Sequence, residues 1–292
     1  MEKPGKQTDA GMAGKSRDLP GFLREKGEIV CYQFPNLSQF NGIQHAVFSR
    51  LSGCSKPPFD SLNVGLNVGD NPKDVKKNRK AIAQCLGMDE PVFANQVHGT
   101  NIIRLKKENT TATSLSNQQE GDALITDIPG VLIAIQAADC QPVLLYEPEH
   151  HVIAAVHSGW RGSIQNIIGR TIQCMKTEFD CSPEKIVGGI GPSLGPCCGE
   201  FVQYKKEIPK EFWGFRTGKH HFDFWAISSQ QLRTEGVLPE NIHISGLCTS
   251  CRTDYFYSFR RQGTTGRFAG AIGLTKPQPS DDAVSTDNQL NL

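Results

Sequence analysis

The chain has 292 residues, is 38% apolar, and balances 31 Lys and Arg against 30 Asp and Glu for a formal net charge of +1. That length can bury a substantial core, and the even charge offers no field to recruit nucleic acid or acidic surfaces. No stretch approaches the roughly 18 uncharged apolar residues of a membrane helix, and the opening residues carry no apolar signal run, so a cytoplasmic monomer with neither nucleic-acid nor membrane partners is expected.

In chain order, residues 1–25 are polar and aperiodic and read as a disordered leader. "CYQFPNL" and "IQHAVFSRLSG" read as strands. "NPKDVKKNRKAIAQCLGM" opens on an Asn-Pro start signal, repeats Val75, Ile82 and Leu86 along one face, and stops near Gly87, which predicts a helix. "PVFANQVHG" and "NIIRL" follow as strand, turn, strand. "GDALITD", "GVLIAIQAAD", "CQPVLLYEP" and "HVIAAVHSG" are near-continuous apolar runs, so strands covered on both faces are expected. "SIQNIIGRTIQCMKTEF" reads as one amphipathic helix. "KIVGGIG" is a further buried strand, "FWAISSQQLRTEGV" a helix ending at Gly236, and "IHISGL" and "AGAIGL" are closing strands. Residues 276–292 read as a disordered tail. The expected fold class is α+β: a single domain over 26–275 of packed mixed β-sheets flanked by about three helices.

Ten cysteines are scattered through the chain. A protein of this size needs no disulfide staples, so most read as reduced, buried apolar residues. "CTSC" (Cys248, Cys251) with Cys197 and Cys198 could suggest a zinc site, but adjacent cysteines are not a zinc-knuckle spacing, and none is expected there.

Three residues sit at element ends, where side chains can converge: His98 in "NQVHGTN", Cys140 in "AADC", and His157 in "AAVHSGWRG". One Cys and two His suit Zn²⁺ and leave a fourth position for water or substrate. A water held there would have its pKa lowered to about 7. Gly99, Gly159 and Gly162 would permit the close backbone approach that a tight site needs. The alternative is a core thiol at Cys140 with each histidine capping a turn.

"QVHG", "GDALITDIPGVLIAIQAADCQPVLLYEP", "AAVHSGWRGS", "GGIGPSLGPCCGEF", "GLCTSC" and "FYSFRRQGTTGRFAGAIGL" occur in that order, with "FSRLSGCSKPPFDSLNVGLNVGDNPKDVKKNR" before them. Together they resemble the laccase-domain family, also called multicopper polyphenol oxidoreductase and described as purine nucleoside phosphorylase. The resemblance runs from about Gln33 to Leu274. It implies two packed sheets with outer helices and a zinc ion held by His98, Cys140 and His157. It also implies purine nucleosides and phosphate as substrates: phosphorolysis of adenosine, inosine and methylthioadenosine, with hydrolytic deamination of adenosine. One departure is visible. Where the family usually has Tyr after "PCC", this chain has Gly199, so an aromatic residue that could line the pocket is missing.

The multicopper label can be tested on the residues. Four coppers need many imidazoles, usually in His-x-His pairs, and this chain has eight histidines and no His-x-His. Copper could bind adventitiously at a Cys/His₂ zinc site, but polyphenol oxidase chemistry is not expected. For deamination, the H-x-E and P-C-x-x-C elements of zinc deaminases are missing. Asp139 is then the candidate proton carrier or ligand orienter, although an extended backbone would turn it away from Cys140. For phosphorolysis a guanidinium suits the phosphate. Arg50, before a Gly/Ser-rich loop, is the first candidate and Arg161 the second, with Arg260, Arg261 and Arg267 weaker. Asn63 could hold a ribose hydroxyl or shape its turn. Trp160 reads as a packing anchor. Two rival readings remain: a cysteine hydrolase with Cys140 as nucleophile and His98 or His157 as base, and an inactive binding module.

Overall fold

The computed structural model describes residues 20–105 and 119–276. In chain order its elements are β1 (Arg24–Lys26), β2 (Ile29–Tyr32), β3 (Ile43–Phe48), α1 (Pro72–Leu86), β4 (Val92–Phe93), β5 (Ile102–Leu105), β6 (Ala123–Thr126), β7 (Leu132–Ala137), β8 (Gln141–Glu147) and β9 (Val152–Ser158). There follow α2 (Trp160–Ile164), α3 (Ile167–Phe179), β10 (Val187–Ile190), α4 (Tyr204–Glu207), β11 (Arg216–Thr217), β12 (His221–Phe222), α5 (Phe224–Thr234), β13 (Ile242–Ile244), α6 (Phe259–Gln262) and β14 (Phe268–Leu274).

Two six-stranded sheets carry the domain, in the orders β1-β2-β3-β14-β7-β4 and β13-β10-β8-β9-β6-β5. Most pairs are antiparallel, while β4 with β7, β5 with β6, and β10 with β13 run parallel. The alternation along each strand builds the layers. Ile133 and Ile135 of β7, Leu144 and Tyr146 of β8, and Ile153 and Ala155 of β9 fill the space between the sheets. Their neighbours Val143, Leu145, Val152, Ala154 and Val156 face the other way, onto Ile168, Ile172 and Met175 of α3 and Leu232 of α5. On the far side, Leu132 and Ala134 meet Ile82, Ala83 and Leu86 of α1. Both faces of both sheets are therefore covered, which is why these strands read as unbroken apolar runs.

The α1 ends follow the sequence signals. Asn71 caps the start by accepting from Lys73 N, Pro72 is the first helical residue, and Gly87 closes it with φ of 66°. The segment expected as one helix from Ser163 is two. Asn166 takes a left-handed φ of 58° and its side chain caps Gly169 N, breaking the axis between α2 and α3. A local side-chain bond here wins over helical periodicity. The fold also starts inside the expected leader. Leu23 is buried, and β1 pairs Arg24 with Cys31 of β2, because edge pairing can order a polar strand. The rest of the expected leader, residues 1–19, and the tail beyond Lys276 lie outside the described residues. Among the described residues no helix is long and apolar enough to cross a membrane.

Candidate active site and metal centre

The sheet register assembles the site. In the β8·β9 pair, Pro142 lies opposite His157, and in β6·β9, Ala123 lies opposite Val156. The start of β8, the end of β9 and the residue before β6 therefore share one edge of the second sheet. This places Cys140, His157 and Asp122 side by side, and His157 N donates to Asp122 O at 2.7 Å. His157 points inward with Ile153 and Ala155, toward the cleft between the sheets.

Asp122, which the sequence reading missed, organises the centre. It is fully buried. Its Oδ1 accepts from His157 Nδ1 at 2.8 Å and from His98 N at 3.0 Å. Its Oδ2 accepts from Gly99 N at 2.7 Å and Val97 N at 3.2 Å. One carboxylate thus orients an imidazole and anchors the loop that carries His98, which holds a left-handed φ of 59°. With Nδ1 taken, His157 presents Nε2 to the cleft. The ligand atoms of His98, Cys140 and His157 all lie within 4.8 Å of one another. Gly159 eases this approach, since a Cβ there would stand 3.0 Å from both Cys140 Sγ and His98 Cδ2 and the ligands would have to shift.

The electrostatics suit a soft cation. Burial alone would raise the Cys140 thiol, but the His157 imidazolium and hydrogen bonds from both histidines bring it down to about 6. Burial opposes charge on His157 as well. The Cys140 thiolate and the Asp122 bond outweigh it and raise the ring to about 9. Asp122 is pushed up by burial and pulled further down by His157, Gly99 and Val97, which hold it below the usual carboxylate range. A thiolate and two imidazoles, one ring held by the Asp122 carboxylate, form a fitting donor set for Zn²⁺, with an open side toward the cleft.

That cleft has a volume of about 730 Å³. Arg161, one of the sequence candidates, lines it and stacks 4.4 Å over Trp160, itself edge-to-face with Phe201 at 5.8 Å. Trp160 thus both packs and lines. Arg79, Arg260, Arg267, Phe224 and Phe259 also line the cleft. Burial pulls the Arg79 guanidinium down to about 10, and its Nε donates to Val64 O at 2.9 Å.

Arg50 and Asn63 are not brought to the cleft. Arg50 Nε donates to Asp60 O at 2.8 Å, Nη1 to Thr253 O at 3.0 Å, and Nη2 pairs with Asp60 at 3.3 Å. The expectation from its Gly/Ser-rich neighbours is corrected: that loop folds back onto the guanidinium. Buried Asn63 is committed to Gly65, Asp70 and Arg267 N, so the turn-shaping alternative describes it. Asp139 lines the cleft, but its carboxylate accepts from Thr249 Oγ1 at 2.7 Å and Arg260 N at 2.6 Å. Its φ of 89° shows that the backbone is turned there, not extended. Gly199 does not line the cleft. A Cβ there would stand 2.9 Å from Phe222 O, and Phe201, two residues on, supplies the aromatic wall. Among the described residues no other cluster of metal-ligating groups contains a histidine, so no multinuclear copper centre is assembled.

Comparison with known proteins identifies the family. The family described as multi-copper polyphenol oxidoreductase laccase matches residues 44–275. A purine nucleoside phosphorylase of Bacteroides thetaiotaomicron is 34% identical over 262 residues, covering 83% of this chain and 96% of that protein. Purine nucleoside phosphorylase YfiH of Escherichia coli is 33% identical, covering 82% of this chain and 97% of that one. The crystal structure of YlmD from Geobacillus stearothermophilus superposes with a TM-score of 0.77 at 31% identity, over 88% of this chain and 100% of that one. The whole span from β3 to β14 is shared in sequence and in fold, and the chain belongs to the multi-copper polyphenol oxidoreductase laccase family.

Proposed function

We propose that the protein is a purine nucleoside phosphorylase with zinc at His98, Cys140 and His157. The observation that carries this reading is one cleft holding a Cys/His₂ donor set, aromatic side chains and several guanidiniums. The names of the relatives support it, and they do not favour a cysteine hydrolase or a polyphenol oxidase. When bound, zinc would supply a Lewis acid to polarise a substrate oxygen or nitrogen.

The chain's own residues have separate tasks. Arg161, with Arg260 and Arg267, binds phosphate and aligns it behind C1′ of the ribose. Phe201, Phe224 and Phe259 hold the purine and exclude water. A phosphate oxygen bonds to C1′, the C1′–N9 bond breaks, and its electron pair leaves with the purine, which takes up a proton. The products are ribose 1-phosphate and the free base. Deamination of adenosine at the same centre is a second proposed activity, in which water replaces the 6-amino group and ammonia leaves.

The test is incubation with adenosine, inosine or methylthioadenosine, with and without phosphate. Phosphate-dependent release of adenine from adenosine and methylthioadenosine, and of hypoxanthine from inosine, is expected, and inosine from adenosine without phosphate reports deamination. Cys140→Ala should abolish turnover and release one metal equivalent while the fold survives. Full activity in that variant would sink the proposal.

A further inference from the structure

A second cluster of soft ligands lies outside the active centre. Cys197 and Cys198 sit in the loop after β10, and Cys248 and Cys251 in the loop after β13. The parallel pairing of these two strands continues past their ends. Ser193 N donates to Leu247 O at 3.1 Å, and Thr249 N to Ser193 O at 3.0 Å. Two loops some fifty residues apart are thereby pressed together. The four sulfurs lie within 4.8 Å of one another. Cys251 Sγ is 3.6 Å from Cys197 Sγ and 3.5 Å from Cys198 Sγ.

These separations discriminate between chemistries. A disulfide needs its sulfurs at about 2.05 Å. A tetrahedral zinc with Zn–S bonds of about 2.3 Å places its four sulfurs about 3.8 Å apart. The two separations from Cys251, 3.6 and 3.5 Å, fall near the edge of that tetrahedron, and the 4.8 Å limit on the rest is compatible with it. Thiols donate and accept only weakly, so four of them in mutual contact gain little from one another. The packing makes sense once a cation is shared. Gly195 N–H donates to Cys248 Sγ at 3.3 Å, the kind of backbone bond that orients a thiolate ligand. Adjacent cysteines, which cannot both point inward from an extended strand, can do so here because 196–198 is a turn, with Cys198 N bonded to Gly195 O at 3.0 Å.

We infer that Cys197, Cys198, Cys248 and Cys251 form a second, structural zinc site that clips the loop after β13 onto the loop after β10, whose Leu194 and Phe201 line the cleft. All four coordination positions are filled by thiolates, so the ion has no open face for chemistry. What it fixes is geometry. Leu194 and Phe201 flank the cysteine pair and line the cleft. Arg260, also in the lining, reaches back to this loop, with Nη1 donating to Glu200 O at 2.9 Å. Thr249, between the other two cysteines, holds Asp139 at 2.7 Å. The zinc therefore sets the position of the aromatic and cationic wall without touching substrate.

The experiment counts metal per chain in the full protein purified without added chelator, by elemental analysis and native mass spectrometry. The wild type should hold one zinc more than Cys197→Ser/Cys251→Ser. That difference does not depend on the count at His98, Cys140 and His157, so this inference and the proposed function fail separately. Cys140→Ala should keep the second ion. Loaded with Co²⁺, that variant should show intense thiolate-to-cobalt charge-transfer absorption, which Cys197→Ser/Cys251→Ser in the same background loses. Should the serine variants not fold, the spectrum and native mass of Cys140→Ala alone decide. Equal zinc in wild type and the double serine variant overturns the inference. So do iron in place of zinc, no metal in Cys140→Ala, or an intact mass short by two or four hydrogens from disulfides among these cysteines.

Discussion

Asp122→Asn is the most informative single change. It preserves shape and removes one charge and one acceptor oxygen. The native carboxylate accepts four bonds, two on each oxygen. An amide can keep only one oxygen. With the oxygen toward His157 and His98 N, its NH₂ group faces the N–H donors of Gly99 and Val97, and the His98 loop loses half its anchor. With the amide flipped, NH₂ faces His157 Nδ1, which must then become an acceptor. The ring proton moves to Nε2, the atom that should bind metal. Either orientation loses two charge-assisted bonds worth about 1.5–3 kcal/mol each, or roughly 3–6 kcal/mol together. In a domain of this size that lowers Tm by on the order of 10 °C. Metal affinity at the Cys/His₂ centre should fall by about 10–100-fold.

The assay is retention of the zinc proposed at the active centre against a graded chelator, followed alongside thermal unfolding. A positioning role predicts that both fall. A purely structural carboxylate would lower Tm and leave zinc retention unchanged in the folded fraction. If Asp122→Asn keeps wild-type zinc retention, the assignment of Asp122 as the orienter of His157 is wrong.

Other perturbations separate the remaining roles. Phe259 is 58% exposed at the cleft rim. With base stacking worth about 1–3 kcal/mol, Phe259→Ala should raise KM for nucleoside by roughly 5–150-fold and leave KM for phosphate alone, and equal nucleoside KM values would remove it from the base site. Arg50→Met should cost about 2–4 kcal/mol through the lost bonds to Asp60 and Thr253, seen in denaturant unfolding, with KM for phosphate unchanged; a raised phosphate KM at wild-type stability would return Arg50 to the phosphate site. Burial pulls buried His45 down to about 4 from 6.5, and Phe34 N donates to its Nε2 at 2.9 Å. The unfolded chain binds that proton below about 6.5 and the folded chain only below about 4, so the contribution is complete above pH 6.5 and lost as pH falls toward 4. It amounts to roughly 3 kcal/mol across that window. The acid side of the stability–pH curve should flatten in His45→Gln, and an unaltered curve would show that His45 does not set it.

Much of the fold was legible because its drivers are local or periodic. Asn71, Pro72 and Gly87 bound α1 as the capping rules require. The apolar runs of β7, β8 and β9 announced strands covered on both faces. The α2–α3 break was less visible because Asn166 interrupts the helix by its own side-chain bond and leaves the apolar spacing intact on both sides. Edge strand β1 carries almost no apolar signal, since its order comes from pairing with β2.

The site divides along the same line. His98, Cys140 and His157 could be marked because strand ends before glycine are where side chains leave a sheet for a cleft. Asp122 occupies an equivalent position at the entry to β6, yet one acidic residue before an apolar run looks like any turn. Only the register with β9 reveals its partner. Two further judgements rested on a shared assumption. Asp139 was turned away from the centre, and the Cys197–Cys198 pair was set aside as unfit for a shared ligand. Both judgements measured residues against a standard repeat, an extended strand in one case and a knuckle spacing in the other. At Asp139 the backbone takes φ of 89°, and at Cys198 it is bonded back to Gly195. Turns release neighbouring side chains from opposite faces, and parallel pairing of β10 with β13 brings the second cysteine pair to the first from fifty residues away. Side chains gathered by turns and a crossover have no spacing to read, so the cysteines of this chain are better judged by which strand ends they follow than by the intervals between them.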